Sequence, residues 1–231
     1  MITLYDLAIT DDVRPSPFCW RTKFALAHKG LAWKEEPVGF TDKDKIAFSD
    51  QKLVPVIVDH AHADKEVHDS WDIALYLDKT YPDRPLFKSE QEQAFARFTS
   101  HWTGLVVHAG IFPLIVDDLY ARVRPQDRDY FRESRAKRFG TDDFEAVQAT
   151  ARETRLAAFR QSLEPLRQQL KAGPFLGGAT PAYADYTAAG AFLWAHGASP
   201  FALLDTGDSV ISWRDRVIDF YGFGQRAVAA T

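Results

Sequence analysis

The hydrophobic period of this chain changes once, near residue 90, and that change limits what it can fold into. Before it, short β-rich runs alternate with helical ones. ITLYDLAI and LAWKEEPV read as strands, and WRTKFALAHKG between them carries apolar residues at helical spacing and ends on Gly30. That is a βαβ unit. A polar stretch, TDKDKIAFSDQK, leads to a compact apolar strand LVPVIVD, a short acidic turn, and a helix SWDIALYLDKTYP that Pro82 stops. PDRPLFKSE then breaks both periods with prolines and charges. From Glu90 on, apolar residues recur every three or four positions and no strand is expected. The expected organisation is an α/β domain over 1–82, a linker over 83–89 and an all-helical domain over 90–231. Pro113, inside the first long helical run, is expected to kink or divide it.

Composition excludes several function classes. At 231 residues and 46% hydrophobic, the chain can bury a core without covalent staples. A net charge of -4, with Lys and Arg interspersed among Asp and Glu, offers no basic field to a polyanion, so no nucleic-acid partner is expected. MITLYDLAIT lacks a basic segment followed by a long apolar one, and no uninterrupted apolar run reaches 18 residues, so a cytoplasmic chain without a membrane span is expected. The single cysteine rules out an internal disulfide and every cysteine-based metal signature, and no metal is expected.

The chemistry-bearing motifs begin at SPFCWRTKFAL, which has the outline of a C-x-x-C redox site with Ser16 in its first position and only Cys19 remaining. Pro17 suits a first helical turn, which makes Ser16 an N-cap candidate. The same hydroxyl, with free amides behind it, forms an anion site, and a thiolate is an anion. Local residues leave both roles open. Pro55 stands at the start of a strand where it forfeits a ladder bond, a position that holds a cis peptide or a strand end. If it is cis, Val54 turns its backbone outward to pair with an extended peptide. Asp69 and Ser70 head the next helix, where Ser70 can cap and amides can face a carboxylate.

In this order and spacing the motifs resemble the glutathione transferases, with a thioredoxin-like N-terminal domain and an all-α C-terminal domain. The resemblance covers essentially the whole chain. SPFCWRTKFALAHKG is similar to the catalytic loop and first helix of serine-type members, VP to their cis-proline site, and DS to the pair that holds the γ-glutamyl end of glutathione. The resemblance implies that Ser16 is the catalytic hydroxyl, that Val54 bonds the cysteinyl backbone, that Pro55 is cis, and that Asp69 and Ser70 bind the γ-glutamyl group. Lys52 is placed to reach the glycyl carboxylate or to remain a solvated lysine. Cys19 is expected to be a small packed hydrophobe. The family's Ser/Thr-x-x-Asp box has Ala182 in place of the hydroxyl, with Asp185 retained to accept backbone amides.

ITLYDLAITDDVRPSPFCWRTKFALAHKGL, DSWDIALYLDKTYPDRPLF and YADYTAAGAF are similar to bacterial glutathione-dependent β-etherases of lignin breakdown and to related fungal transferases. This implies glutathione as co-substrate, an aromatic electrophile and a homodimer. Phe18, Phe40, Trp102, Leu105, Val106 and Phe112 are candidate walls for the aromatic substrate, or interdomain core. His101 and His108, seven apart, are candidates to protonate a leaving group. DFYGFGQRAVAA is either a flap over the site or a frayed end. A glutathione-binding stress or regulatory protein without turnover remains the alternative. A dithiol reductase is disfavoured by the missing first cysteine.

Overall fold

The computed structural model describes residues 1–10 and 13–224. Strands β1 (Ile2–Leu7), β2 (Trp33–Val38), β3 (Val56–Asp59) and β4 (Lys65–His68) form one sheet in the order β2-β1-β3-β4. β1 is parallel to β2, Ile2 opposite Trp33, and antiparallel to β3, Ile2 opposite Asp59. The parallel pair is the expected βαβ unit, crossed over by α1 (Pro17–Lys29). Gly30 closes α1 in the left-handed region at φ 68°, its amide donating to the Ala27 carbonyl, a conformation that favours glycine. The acidic turn read after LVPVIVD contains a strand: β4 pairs with β3, and its mostly exposed side chains suit a sheet edge but hide the alternating pattern. The polar stretch before β3 holds a 3₁₀ helix, Lys43–Ser49, which buries Ile46 against Val38 and Val56.

Helix α2 (Ser70–Thr80) completes the sheet half, and α3 (Glu90–Trp102) begins the helical half, capped by the Ser89 side chain. It continues through a π-helical turn at Thr103–His108 into α4 (Ala109–Arg122). The helix is not divided at Pro113, which is buried inside α4; the departure from α geometry lies upstream, at the π turn. The run Glu90–Arg122 is long and apolar enough by composition to cross a bilayer. In this fold it is a core element, burying Val107, Ile111, Leu114 and Ile115 completely. Then follow α5 (Arg128–Phe139), α6 (Phe144–Thr154), α7 (Leu156–Ser162), α8 (Glu164–Ala172), α9 (Tyr183–Ala198) and α10 (Ser209–Phe220).

α9 is apolar on nearly all sides because it is buried on nearly all sides, packing against α1, α3, α4 and α10. Its contact with α1 is close. A Cβ built at Gly190 would lie 2.5 Å from the Pro17 carbonyl oxygen. The start of α9 is held as the Asp185 spacing suggested: one carboxylate oxygen accepts from the Gly177 and Ala182 amides (2.9 and 3.0 Å), the other from the Leu176 amide and Trp213 Nε1 (2.7 and 2.8 Å). With alanine as N-cap, the aspartate supplies its half of the box and three further bonds.

One clamp positions the site. Asp127, fully buried just before α5, accepts at Oδ1 from the Thr41 amide (2.8 Å) and hydroxyl (2.6 Å), and at Oδ2 from Arg124 (2.7 Å). Arg124 also pairs with Asp42 at 3.0 Å. These bonds dock α5 onto the loop that follows β2.

Candidate functional site

Between the first turn of α1, the loop after β2, the π turn and α5 lies a cavity of about 530 Å³, within the range of small-molecule sites. Ser16 lines it and caps α1: its Oγ accepts from the Cys19 amide at 3.2 Å, and the residue is only 5% exposed. A hydroxyl that accepts from the helix still has its own proton to donate, so capping leaves the side chain free to donate to an anion. Pro17 supplies no N–H at the helix start, where one would lack a partner in any case. Cys19 is fully buried, and burial, reinforced by Asp6, pushes its thiol well above the ordinary value. It packs as a small hydrophobe and is not a reactive thiolate.

The Val54–Pro55 peptide is cis, and Val54 faces the cavity while the β3 ladder begins only at Val56. Lys52 is exposed at the same rim, its carbonyl accepting from Lys43 Nζ at 2.6 Å. Asp69, not Ser70, caps α2: Asp69 Oδ1 accepts from the Trp71 amide at 2.7 Å and the Asp72 amide at 3.4 Å, with φ at 64°. Ser70 is the first helical residue, and its carbonyl accepts from the Tyr183 hydroxyl at 2.6 Å. Both lie outside the lining of the cavity.

Of the six wall candidates, Phe18, Phe40 and Phe112 line the cavity. Trp102, Leu105 and Val106 do not: Trp102 packs against the core and Leu105 is 79% exposed. The face was read at 3.6 residues per turn, and the π turn winds Thr103–His108 more loosely, which brings Gly104 and His108 into the lining instead. The same shift separates the histidines, leaving His101 exposed and off the cavity. His108 sits edge-on to Phe18 (5.4 Å) and Trp194 (5.8 Å), with Nε2 enclosed and unpartnered among the described residues. Burial, with Arg21 and Arg138 nearby, lowers its pKa to about 3. The neutral form is favoured, and a neutral imidazole offers a leaving group a hydrogen bond rather than a proton.

Four residues beyond the sequence reading shape the site. Trp194 of α9 packs on Phe112 at 5.6 Å. Arg21, buried over the Phe18 ring at 4.7 Å, donates to Ser100 Oγ at 3.2 Å. Arg135 and Arg138 line the α5 wall. Phe131, Ser134, Arg135 and Arg138 fall at i, i+3, i+4 and i+7, the inward stripe of a helix, and arginines in that stripe were a signal the sequence carried. Of the C-terminal stretch, Phe223 is buried against Trp20 and Phe24 (5.8 and 5.3 Å), away from the cavity lining; residues 225–231 lie outside the described residues. Among the described residues no cluster of three His, Cys, Asp or Glu side chains is arranged to hold a metal.

Sequence profiles of the glutathione S-transferase N-terminal domain and C-terminal domain match residues 15–80 and 94–200. The chain is 31% identical over 140 residues to the glutathione S-transferase-like protein ustS of Aspergillus flavus, covering 55% of this chain and 50% of that one. It is 25% identical over 194 residues to glutathione S-transferase U22 of Arabidopsis thaliana, covering 82% and 74%. The chain thus spans about half the length of the first of these curated relatives. Among solved structures, a glutathione S-transferase of Ceriporiopsis subvermispora in complex with glutathione superposes with TM-score 0.76 at 24% identity, covering 96% of this chain and 98% of that one. A glutathione transferase of Phanerochaete chrysosporium gives 0.74 at 24%, covering 95% and 96%.

Proposed function

This chain belongs to the glutathione S-transferase family, and we propose that it is a glutathione transferase that turns the glutathione thiolate on an aromatic electrophile, cleaving β-aryl ethers of lignin-derived compounds. The observation that carries the reading is the cavity itself: Ser16 Oγ at the head of α1, Val54 with the cis peptide to Pro55 behind it on one wall, and Phe18, Phe40 and Phe112 on the other. A structural neighbour bound to glutathione through the same fold supports the choice of co-substrate.

A free thiol has a pKa of about 8.5 and is mostly protonated at neutral pH. Ser16 donates its hydroxyl proton to the glutathione sulfur, and the α1 N-terminus adds its field. Each unit of lowering corresponds to about 1.4 kcal/mol, within the roughly 1.5–3 kcal/mol of one hydrogen bond to a charged group. The thiolate attacks the carbon bearing the aryl ether, next to a ketone; the C–S bond forms as the C–O bond breaks. The phenolate departs with the electron pair and takes its proton from solvent. Lys52 reaches the glycyl carboxylate, Val54 pairs with the cysteinyl backbone, and Asp69 and Ser70 hold the γ-glutamyl end. The reading carries with it a cytoplasmic homodimer.

The test is anaerobic incubation with glutathione and a fluorogenic β-aryl ether ketone, in parallel with a nitro-activated aryl chloride. Phenol release matched by glutathione consumption supports ether cleavage. Conjugation of the chloride alone reduces the reading to a general transferase. Tight glutathione binding with neither reaction overturns catalysis in favour of a binding protein without turnover.

A further inference from the structure

The α5 wall of the cavity carries a feature that an apolar electrophile does not explain. Arg135 and Arg138, one turn apart, both line it. Neither forms an ion pair with a carboxylate among the described residues. They are held by aromatic faces: Arg135 lies 4.8 Å over Phe131, 5.6 Å over Phe40 and 5.8 Å over Phe112, and Arg138 lies 4.7 Å over Phe112. Arg135 donates one Nη to Ser134 Oγ at 3.0 Å, while its Nε is enclosed without a partner.

Two guanidiniums of like charge repel across one turn, and burying one of them is costly without an anion. Ring faces compensate in part, because they attract cations without neutralising them. Other arginines of the chain, such as Arg124 with Asp127 and Arg167 with Asp208, both at 2.7 Å, are paired with carboxylates. Here the carboxylate is missing on the side that faces the cavity. Burial and Arg138 hold Arg135 below its ordinary pKa, so an anion placed between them would relieve both effects. Phe40 and Phe112 flank the pair, giving an aromatic ring a place to lie while its acid group meets the forks.

We propose that the second substrate is an aromatic acid whose carboxylate is bound by Arg135 and Arg138, its ring packed against Phe40 and Phe112. This rests on the transferase reading and narrows it. Lys52 lies at the Val54 rim before β3, and Lys43 of the 3₁₀ helix reaches over the Tyr130 ring of α5 at 5.5 Å; the acid's carboxylate is assigned to the arginines because they, and not the lysines, lie against the Phe40 and Phe112 rings.

The test compares matched electrophiles, 4-chloro-3,5-dinitrobenzoate and its methyl ester, at saturating glutathione, alongside equilibrium binding of the unreactive 3,5-dinitrobenzoate and its methyl ester by tryptophan quenching. The wild-type enzyme is expected to prefer the acid over the ester by about tenfold or more in both KM and Kd. In Arg135→Gln/Arg138→Gln that ratio is expected to fall to near one. Arg138→Gln alone, at an exposed position that a folded chain tolerates, is expected to lose part of it. Equal KM and Kd for acid and ester in the wild type overturn the inference while the transferase reading stands. Arginine-dependent binding of the acid without turnover of either chloride upholds the carboxylate site and overturns the transferase reading. A loss that falls on glutathione affinity, with the acid-to-ester ratio intact, assigns the arginines to glutathione and overturns the inference.

Discussion

Replacing Ser16 with Ala separates two roles that share one oxygen. The first is structural: Oγ accepts from the Cys19 amide at 3.2 Å, and loss of an N-cap acceptor costs about 1 kcal/mol. In a chain of 231 residues that lowers Tm by about 2–4 °C. The second is chemical. Removing a hydroxyl that donates to a thiolate forfeits roughly 1.5–3 kcal/mol, so the thiol of bound glutathione should titrate about one to two units higher. Turnover at neutral pH should then fall about ten- to a hundredfold, with glutathione still bound. The assay is a pH titration of thiolate ultraviolet absorbance on the glutathione complex, with a thermal melt on the same sample and Ser16→Thr as the hydroxyl-retaining control. A melt lowered as expected beside an unmoved thiol titration would refute the chemical role and leave Ser16 as a cap alone.

Four further outcomes follow from the geometry. The folded-state pKa of His108 is depressed to about 3, so the unfolded chain takes up a proton near pH 6.5 that the folded chain refuses. Stability from this residue is complete above pH 6.5 and is lost as pH falls below it. Between pH 7 and 5 the loss is about 2 kcal/mol, and unfolding free energies from denaturant titrations at the two pH values should differ by that much less in His108→Asn. Asp185→Ala strands three backbone amides and the Trp213 indole N–H, and should cost about 4 kcal/mol or more in chemical denaturation. Trp213→Phe in the Asp185→Ala background, with one stranded donor fewer, should show non-additivity in a double-mutant cycle. Gly190→Ala places a Cβ 2.5 Å from the Pro17 carbonyl, so α1 and α9 must separate. The expected loss is about 1–3 kcal/mol in denaturation, with weaker glutathione binding by titration calorimetry because the Ser16 loop moves with Pro17. Asp127→Ala releases α5 from Thr41, and steady-state kinetics should show KM rising more for the aromatic substrate than for glutathione.

Local features in the sequence translated well where they depend on a few neighbouring residues. Pro17 and Gly30 bracketed α1, Pro55 marked a cis peptide, and Asp185 accepted backbone amides at the start of α9 without a capping hydroxyl. The exposed β4 edge was less legible, because a strand with no buried face leaves no alternation to read. The aromatic wall was misread from Trp102 to Val106, since the π turn there changes the number of residues per turn and nothing in the local residue types announces it. Asp69 took the capping position assigned to Ser70 because the backbone enters α2 one residue earlier than the motif suggests.

The residue types alone determined that a βαβ-containing half precedes a helical one, that one alcohol stands where a redox pair would need a thiol, and that a proline stands at the start of the third strand. Those features depend on periodicity, backbone restriction and side-chain chemistry, which act over a few residues. Only the tertiary structure decided that Gly104, His108, Arg135, Arg138 and Trp194 share one cavity with Ser16. They come from the π turn, α5 and α9, and they meet through long-range packing: α9 pressed against α1 at Gly190, and α5 docked on the loop after β2 by Asp127. Contacts between segments so far apart in the chain leave no periodic signal along it.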